Sequence, residues 1–144
     1  MNKVDPYNLT RDLSAQYGVY SSVLRELKAG QKRSHWMWFI FPQIEGLGRS
    51  ATSKHYFIKC LEEAKRYLSH PVLGKRLLEC YEIILGIEGR TISKIFHYPD
   101  NLKLQSCITL FLCFNKDNSI FACALNYFDG IKDVRTVLIL EKII

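Results

Sequence analysis

Apolar residues recur along most of the chain at intervals of three and four, the spacing that lines one face of a helix. Leu9, Leu13, Tyr17, Tyr20, Leu24 and Leu27 form the first such stripe. Asp5 is placed to cap it, with Pro6 in the first helical position and Gly30 just past the end, so the pattern predicts a helix over 6–29. Phe57, Leu61, Ala64 and Leu68 predict a second helix over 53–69, stopped by His70-Pro71. Leu73, Leu77, Tyr81 and Ile84 mark a third, closed by Gly86. Thr91 can cap a short helix through Phe96, and Pro99-Asp100 opens a segment over 102–114 in which Leu104, Cys107, Ile108 and Phe111 keep helical spacing. The stretch from Cys107 to Phe114 is also rich in strand formers, yet its spacing reads as helix. Ser119 starts another helix through Phe121, Ala124, Leu125 and Phe128, ended by Gly130, and Asp133 caps a last one to about 142. With no internal repeat, the expectation is an all-α fold, one domain over 1–144 with six to eight helices.

One segment escapes this periodicity. Lys32-Arg33-Ser34-His35 leads into Trp36-Met37-Trp38-Phe39-Ile40-Phe41, and Pro42-Gln43 ends the run. Six consecutive large apolar residues can be a buried strand or a buried helical turn. Each indole N–H needs a hydrogen-bond partner once buried. An apolar wall with polar groups at its edge is the usual make-up of a small-molecule pocket, which makes Lys32, Arg33, Ser34, His35, Trp36, Trp38 and Gln43 candidate ligand residues. The competing reading is a core aromatic cluster with His35 satisfied by backbone.

Charge supports an anionic ligand. The chain carries a net +6, and the excess lies in residues 1–76, with 13 Lys+Arg against 6 Asp+Glu, while residues 77–144 hold 7 against 8. Such a surface attracts phosphates, on a small molecule or on nucleic acid, and it also serves solubility alone. At 48% hydrophobic and 12% aromatic, the 144 residues can build a core, which excludes a disordered chain. The start of the chain has no apolar signal-peptide region and no apolar run is long enough to span a bilayer, so the expected setting is cytoplasmic, away from membranes. The five cysteines show no C-x-x-C and sit among apolar neighbours, which reads as buried reduced thiols.

Other constellations are weaker. Gly46-Leu47-Gly48-Arg49-Ser50-Ala51 fits a G-x-G-x-x-[GA] pattern, but no βαβ unit surrounds it. Arg49 and Ser50, just before a helix, remain phosphate-binding candidates. Glu63 lies in mid-helix beside the apolar stripe and, with His35, is the candidate acid or base. Lys103 and Ser106, one turn apart, can reach a common ligand. The four histidines lack an i,i+4 pair, and no Ser-His-Asp order, Walker loop or EF-hand pattern occurs, so no metal or cofactor is expected.

Asp5-Pro6-Tyr7-Asn8-Leu9, Glu26-Leu27-Lys28-Ala29-Gly30, Ser34-His35-Trp36-Met37-Trp38-Phe39, Phe41-Pro42-Gln43, Gly46-Leu47-Gly48, His70-Pro71-Val72-Leu73-Gly74 and Asp100 to Phe111 together resemble the domain of unknown function 1810 (DUF1810) family. Its mycobacterial member gave the fold the name Rv1873-like. The resemblance covers nearly the whole chain. It implies a mostly α-helical single domain, helix for 102–114, and a cytosolic bacterial setting; it implies no activity. The chain departs from the family pattern at His97, where glycine is usual, and at Cys107 and Ile108, which replace serine and methionine.

The functional expectation is therefore a basic and aromatic pocket that binds, and in one reading processes, a phosphate-bearing small molecule such as a nucleotide or an ADP-ribose-type compound. The alternatives are a basic nucleic-acid module, contacting backbone through Lys28, Lys32, Arg33, Lys54, Lys65 and Arg66, and a helical protein-interaction domain.

Overall fold

The computed structural model describes residues 5–115 and 119–143. Its ten α-helices are α1 (Thr10–Gln16), α2 (Tyr20–Lys28), α3 (Met37–Ile40), α4 (Ala51–Tyr56), α5 (Leu61–Ser69), α6 (Leu73–Leu85), α7 (Ile92–Ile95), α8 (Asp100–Leu112), α9 (Ser119–Leu125) and α10 (Val134–Ile143), with a 3₁₀ turn over Asn126–Phe128. The fold is all-α, as its periodicity predicts; the helix count exceeds six to eight because two predicted helices are each broken in two and the undecided Trp36–Phe41 run adds the short helix α3.

The first break follows Gln16. Tyr17 turns extended and Gly18 adopts φ 79°, a conformation open to glycine, so the helix restarts at Tyr20 in a new rotation. Tyr17, counted in the apolar stripe, is thereby turned to solvent at 87% exposure, while Val23 and Leu27 face the core. Asp5 still caps, but for a later start: its carboxylate accepts from the N–H groups of Leu9 and Thr10 and from Thr10 Oγ1. The second break falls between α4 and α5. Phe57 leaves the helix, and Ile58 pairs with Ile44 in a parallel bridge, its N–H donating to Gln43 O at 2.8 Å and its carbonyl accepting from Glu45 N at 2.8 Å. Both Phe57 and Ile58 are buried, so Phe57 contributes to the core from an extended crossing, while Leu61, Ala64 and Leu68 of the predicted stripe lie in α5.

Helix α6 packs against α2, α5 and α9, and α8 against α5, α9 and α10. Between them runs a chain of buried rings. Trp36 meets Phe41 and Phe96, Phe41 meets Tyr81 with centroids 5.1 Å apart, Tyr81 meets Phe121, and Phe121 stacks on Phe111 at 5.6 Å. Ring pairs of this kind contribute about 0.5–1.5 kcal/mol each beyond area burial. The α5–α6 turn is tight: a Cβ on Gly74 would stand 1.8 Å from the Leu68 carbonyl oxygen, so only glycine fits. All five cysteines are free; Cys80 and Cys107 are buried, Cys60 and Cys113 half-buried and Cys123 exposed, which corrects the expectation of uniformly buried thiols. Among the described residues no helix is long and apolar enough to cross a membrane.

Candidate functional site

The segment Lys32–Trp36 is organised by one acid. Glu26, facing inward from α2, is buried, and its carboxylate accepts four hydrogen bonds: from Arg33 N (2.7 Å), Ser34 N (2.9 Å), Ser34 Oγ (2.6 Å) and Trp36 Nε1 (3.0 Å). Burial raises the Glu26 carboxyl, but these donors outweigh it and bring the group down to about 2. The buried indole of Trp36 thus has its partner, and its ring belongs to the core. Lys32, also buried, donates to Ser34 O, pairs with Asp100 Oδ2 at 2.8 Å and lies 4.9 Å over the Trp36 ring. Arg33 and His35 are exposed, with Arg33 Nη2 donating to Gln31 Oε1.

Asp100, at the start of α8, carries this order outward. Its second oxygen pairs with Lys103 Nζ at 3.2 Å, and that ammonium stands 4.4 Å over the ring of Trp38. Lys32, Asp100 and Lys103 therefore form a chain of ion pairs, tied to Glu26 through Ser34 and Trp36, that ends at the rim of a cleft of about 320 Å³ lined by Trp38, Gln43, Leu47, Tyr98, Pro99, Leu102, Lys103, Ser106, Asp133 and Arg135. Trp38 is half-buried with its edge braced against Phe57. Gln43 is 3% exposed, and its Nε2 has no hydrogen-bond partner among the described residues. An unpaired buried donor costs about 1–3 kcal/mol, and the Ile44–Ile58 bridge beside it holds the residue in place. Ser106 Oγ donates to Leu102 O and to Asp133 Oδ2, and Arg135 Nη2 reaches the carbonyls of Gly46 and Leu47, tying α10 to the glycine-containing loop.

Of the sequence candidates, the fold gathers Trp38, Gln43, Lys103 and Ser106 at this cleft, although they are up to 68 positions apart in the chain. Lys32, Arg33, Ser34, His35 and Trp36 do not line it; Ser34 and Trp36 are held by Glu26, and Lys32 by Asp100. Ser50 caps α4 by accepting from Ser53 N at 3.0 Å, and Arg49 is exposed beside it; neither lines the cleft. Glu63 is 1% exposed, pairs with Arg11 Nη2 and accepts from Lys59 N, and it lines a separate cleft of about 370 Å³ with Arg11, Lys54, His55 and Lys59. The cleft residues that sequence reasoning passed over are Leu47, Tyr98, Pro99, Leu102, Asp133 and Arg135. Asp133 was legible as a helix cap, which it is, accepting from Thr136 N at 3.0 Å. Its position on the cleft depends on α10 lying against α8, which no local pattern announces.

A larger groove of about 640 Å³ between Asp5–Leu13 and Arg66–Pro71 gathers none of the candidates. Among the described residues no group of three or more His, Cys, Asp or Glu could hold a metal.

The architecture is thus an all-α domain with a polar cleft between its central helix and its last. A model of the family described as "Protein of unknown function (DUF1810)" matches residues 6–140, and the chain belongs to that family. The crystal structure of the conserved hypothetical protein Rv1873 from Mycobacterium tuberculosis is similar throughout, at 48% identity and TM-score 0.93, over 95% of this chain and 99% of that one. A comparison with curated proteins found no match. The three positions expected to depart from the family pattern do not line the cleft: Cys107 is buried and accepts from Tyr81 Oη at 3.2 Å, Ile108 is in the core, and His97 is exposed.

Proposed function

We propose that the Trp38–Gln43–Lys103–Arg135 cleft binds a phosphate-bearing small molecule of the nucleotide or ADP-ribose type. The observation that carries the reading is Gln43: a buried amide whose Nε2 lacks a partner, on the wall of a cleft with two cations and two aromatic rings on its rim. A ligand acceptor would remove the cost of that unpaired donor. Lys103, oriented by Asp100 and Trp38, supplies a cation for phosphate, while Arg135 adds a second. Because Lys103 covers one face of Trp38, the exposed Tyr98 is the better platform for a flat base.

Isothermal titration of the wild type with nucleoside phosphates, ADP-ribose, sugar phosphates and short RNA, at low and physiological salt, tests the reading. Gln43→Leu and Lys103→Ala should each weaken a small-molecule signal by about tenfold or more, corresponding to one hydrogen bond or ion pair to a charged group. Gln43→Leu should melt no lower than wild type, since it removes the unpaired donor. Binding of RNA alone, abolished by salt and indifferent to Gln43→Leu, would refute the pocket and favour a backbone-contacting surface that includes Lys28, Lys54, Lys65 and Arg66.

A further inference from the structure

Asp133 is out of place in a cleft built for an anion. A carboxylate on the wall repels phosphate unless the ligand also brings hydrogen-bond donors to it. Its presence is not explained by capping alone. Oδ2 does that work, accepting from Thr136 N (3.0 Å), Thr136 Oγ1 and Ser106 Oγ (3.2 Å), and the backbone is anchored by Asp133 N donating to Thr109 Oγ1 at 2.9 Å. Oδ1 takes none of these bonds. No cation among the described residues stands within ion-pair distance of the carboxylate, for Arg135 Nη2 is turned to the Gly46 and Leu47 carbonyls and Lys103 is paired with Asp100. The group is therefore a rigidly held, charged acceptor with a spare oxygen, in the same cleft as the spare donor of Gln43.

Resting on the reading above, we infer that Asp133 accepts hydrogen bonds from sugar hydroxyls, so that the cleft takes a phosphate attached to a ribose with its 2′- and 3′-hydroxyls intact. The spare Oδ1 accepts and does not donate, so it suits the hydroxyls of a vicinal diol, which can donate to it singly or together, while Oδ2 stays with the helix cap. Lys103 and Arg135 then receive the phosphate, and Gln43 Nε2 donates to an acceptor of the base or sugar. The arrangement selects against inorganic phosphate and pyrophosphate, which bring charge to Asp133 without a sugar hydroxyl.

The test is isothermal titration with the four common ribonucleoside 5′-diphosphates, ribose 5-phosphate, the 2′,3′-dideoxy form of whichever diphosphate binds, and inorganic pyrophosphate. Wild type, Asp133→Asn and Gln43→Leu are compared. Asparagine caps a helix as well as aspartate does, so Asp133→Asn should fold with a melting temperature close to wild type. The expected result is a loss of about tenfold or more from the ribose to the dideoxy form in wild type, a ratio that collapses toward one in Asp133→Asn, and pyrophosphate weaker than either. Equal binding of ribose and dideoxy forms, still weakened by Gln43→Leu, overturns the role of Asp133 and leaves the cleft as a phosphate site. Failure of every sugar phosphate and nucleotide to bind overturns the site and, with it, this inference.

Discussion

Asp12 offers the sharpest test of the physical reading of this fold. It sits on α1 at 1% exposure, and neither carboxylate oxygen has a hydrogen-bond partner among the described residues. Burial pushes its carboxyl up to about 7; Arg11 opposes the rise, while Glu63 and Asp5 add to it. Between the ordinary value of 3.8 and about 7, the folded protein holds a proton that the unfolded chain has released, so stability falls as pH rises through this window. Above it the cost levels off at about 4 kcal/mol, a large part of the 5–15 kcal/mol that a domain of this kind has in total. Asp12→Asn cannot ionise. Urea unfolding of both proteins across the window should give similar stabilities near pH 4, with the variant gaining progressively until it leads by a few kcal/mol near pH 8. Tyr56 and Tyr67, which feel Asp12, are raised and stay neutral throughout. Parallel profiles for the two proteins would show that Asp12 is solvated or paired in solution, and the argument from its burial would fail.

Glu26→Gln should lower stability by about 2–3 kcal/mol and alter the near-ultraviolet circular dichroism of Trp36, because an amide meets four donors with one acceptor oxygen. In the wild type, the stabilisation from Glu26 is present above its ordinary value of 4.5 and is lost as pH falls toward about 2, so it lies below the Asp12 window and can be read separately in acid unfolding. Gly74→Ala forces a methyl group into the Leu68 carbonyl and should cost about 3 kcal/mol or more, seen as a lowered urea midpoint. In a thiol-labelling assay Cys123 should react promptly, whereas Cys80, whose thiol burial pushes up to about 12, and Cys107, pushed up further still by burial, should react only on unfolding.

The helical class, the ends at Gly30 and Gly86 and the cap at Asp133 can all be read from residues within a few positions of one another. Helix spacing, capping side chains and glycine's access to positive φ are local properties, and they hold whatever the rest of the chain does. The family is equally legible in the run Ser34-His35-Trp36-Met37-Trp38-Phe39. Local patterns misled where two structures share one spacing. The stripe through Tyr17 ran on across a break, and that through Phe57 crossed an extended bridge to Ile44, because a single apolar residue beside a true helix can fall at the helical interval whatever conformation its own backbone takes.

The cleft followed a different logic. Sequence marked Lys32 to Gln43 as one cluster, but burial divided it: Trp36 and Lys32 became the inner scaffold, and Trp38 and Gln43 became the wall. Which neighbour falls on which side depends on the four-residue helix α3 and its contacts with α1 and α4, and chemistry at adjacent positions cannot reveal it. Tyr98, Asp133 and Arg135 join Gln43 through the packing of α10 on α8, across separations at which side-chain charge leaves no periodic trace. Local residue chemistry dictated the helices and most of their ends; only long-range burial, which weighs every segment against the one core, chose the faces that meet to make a site.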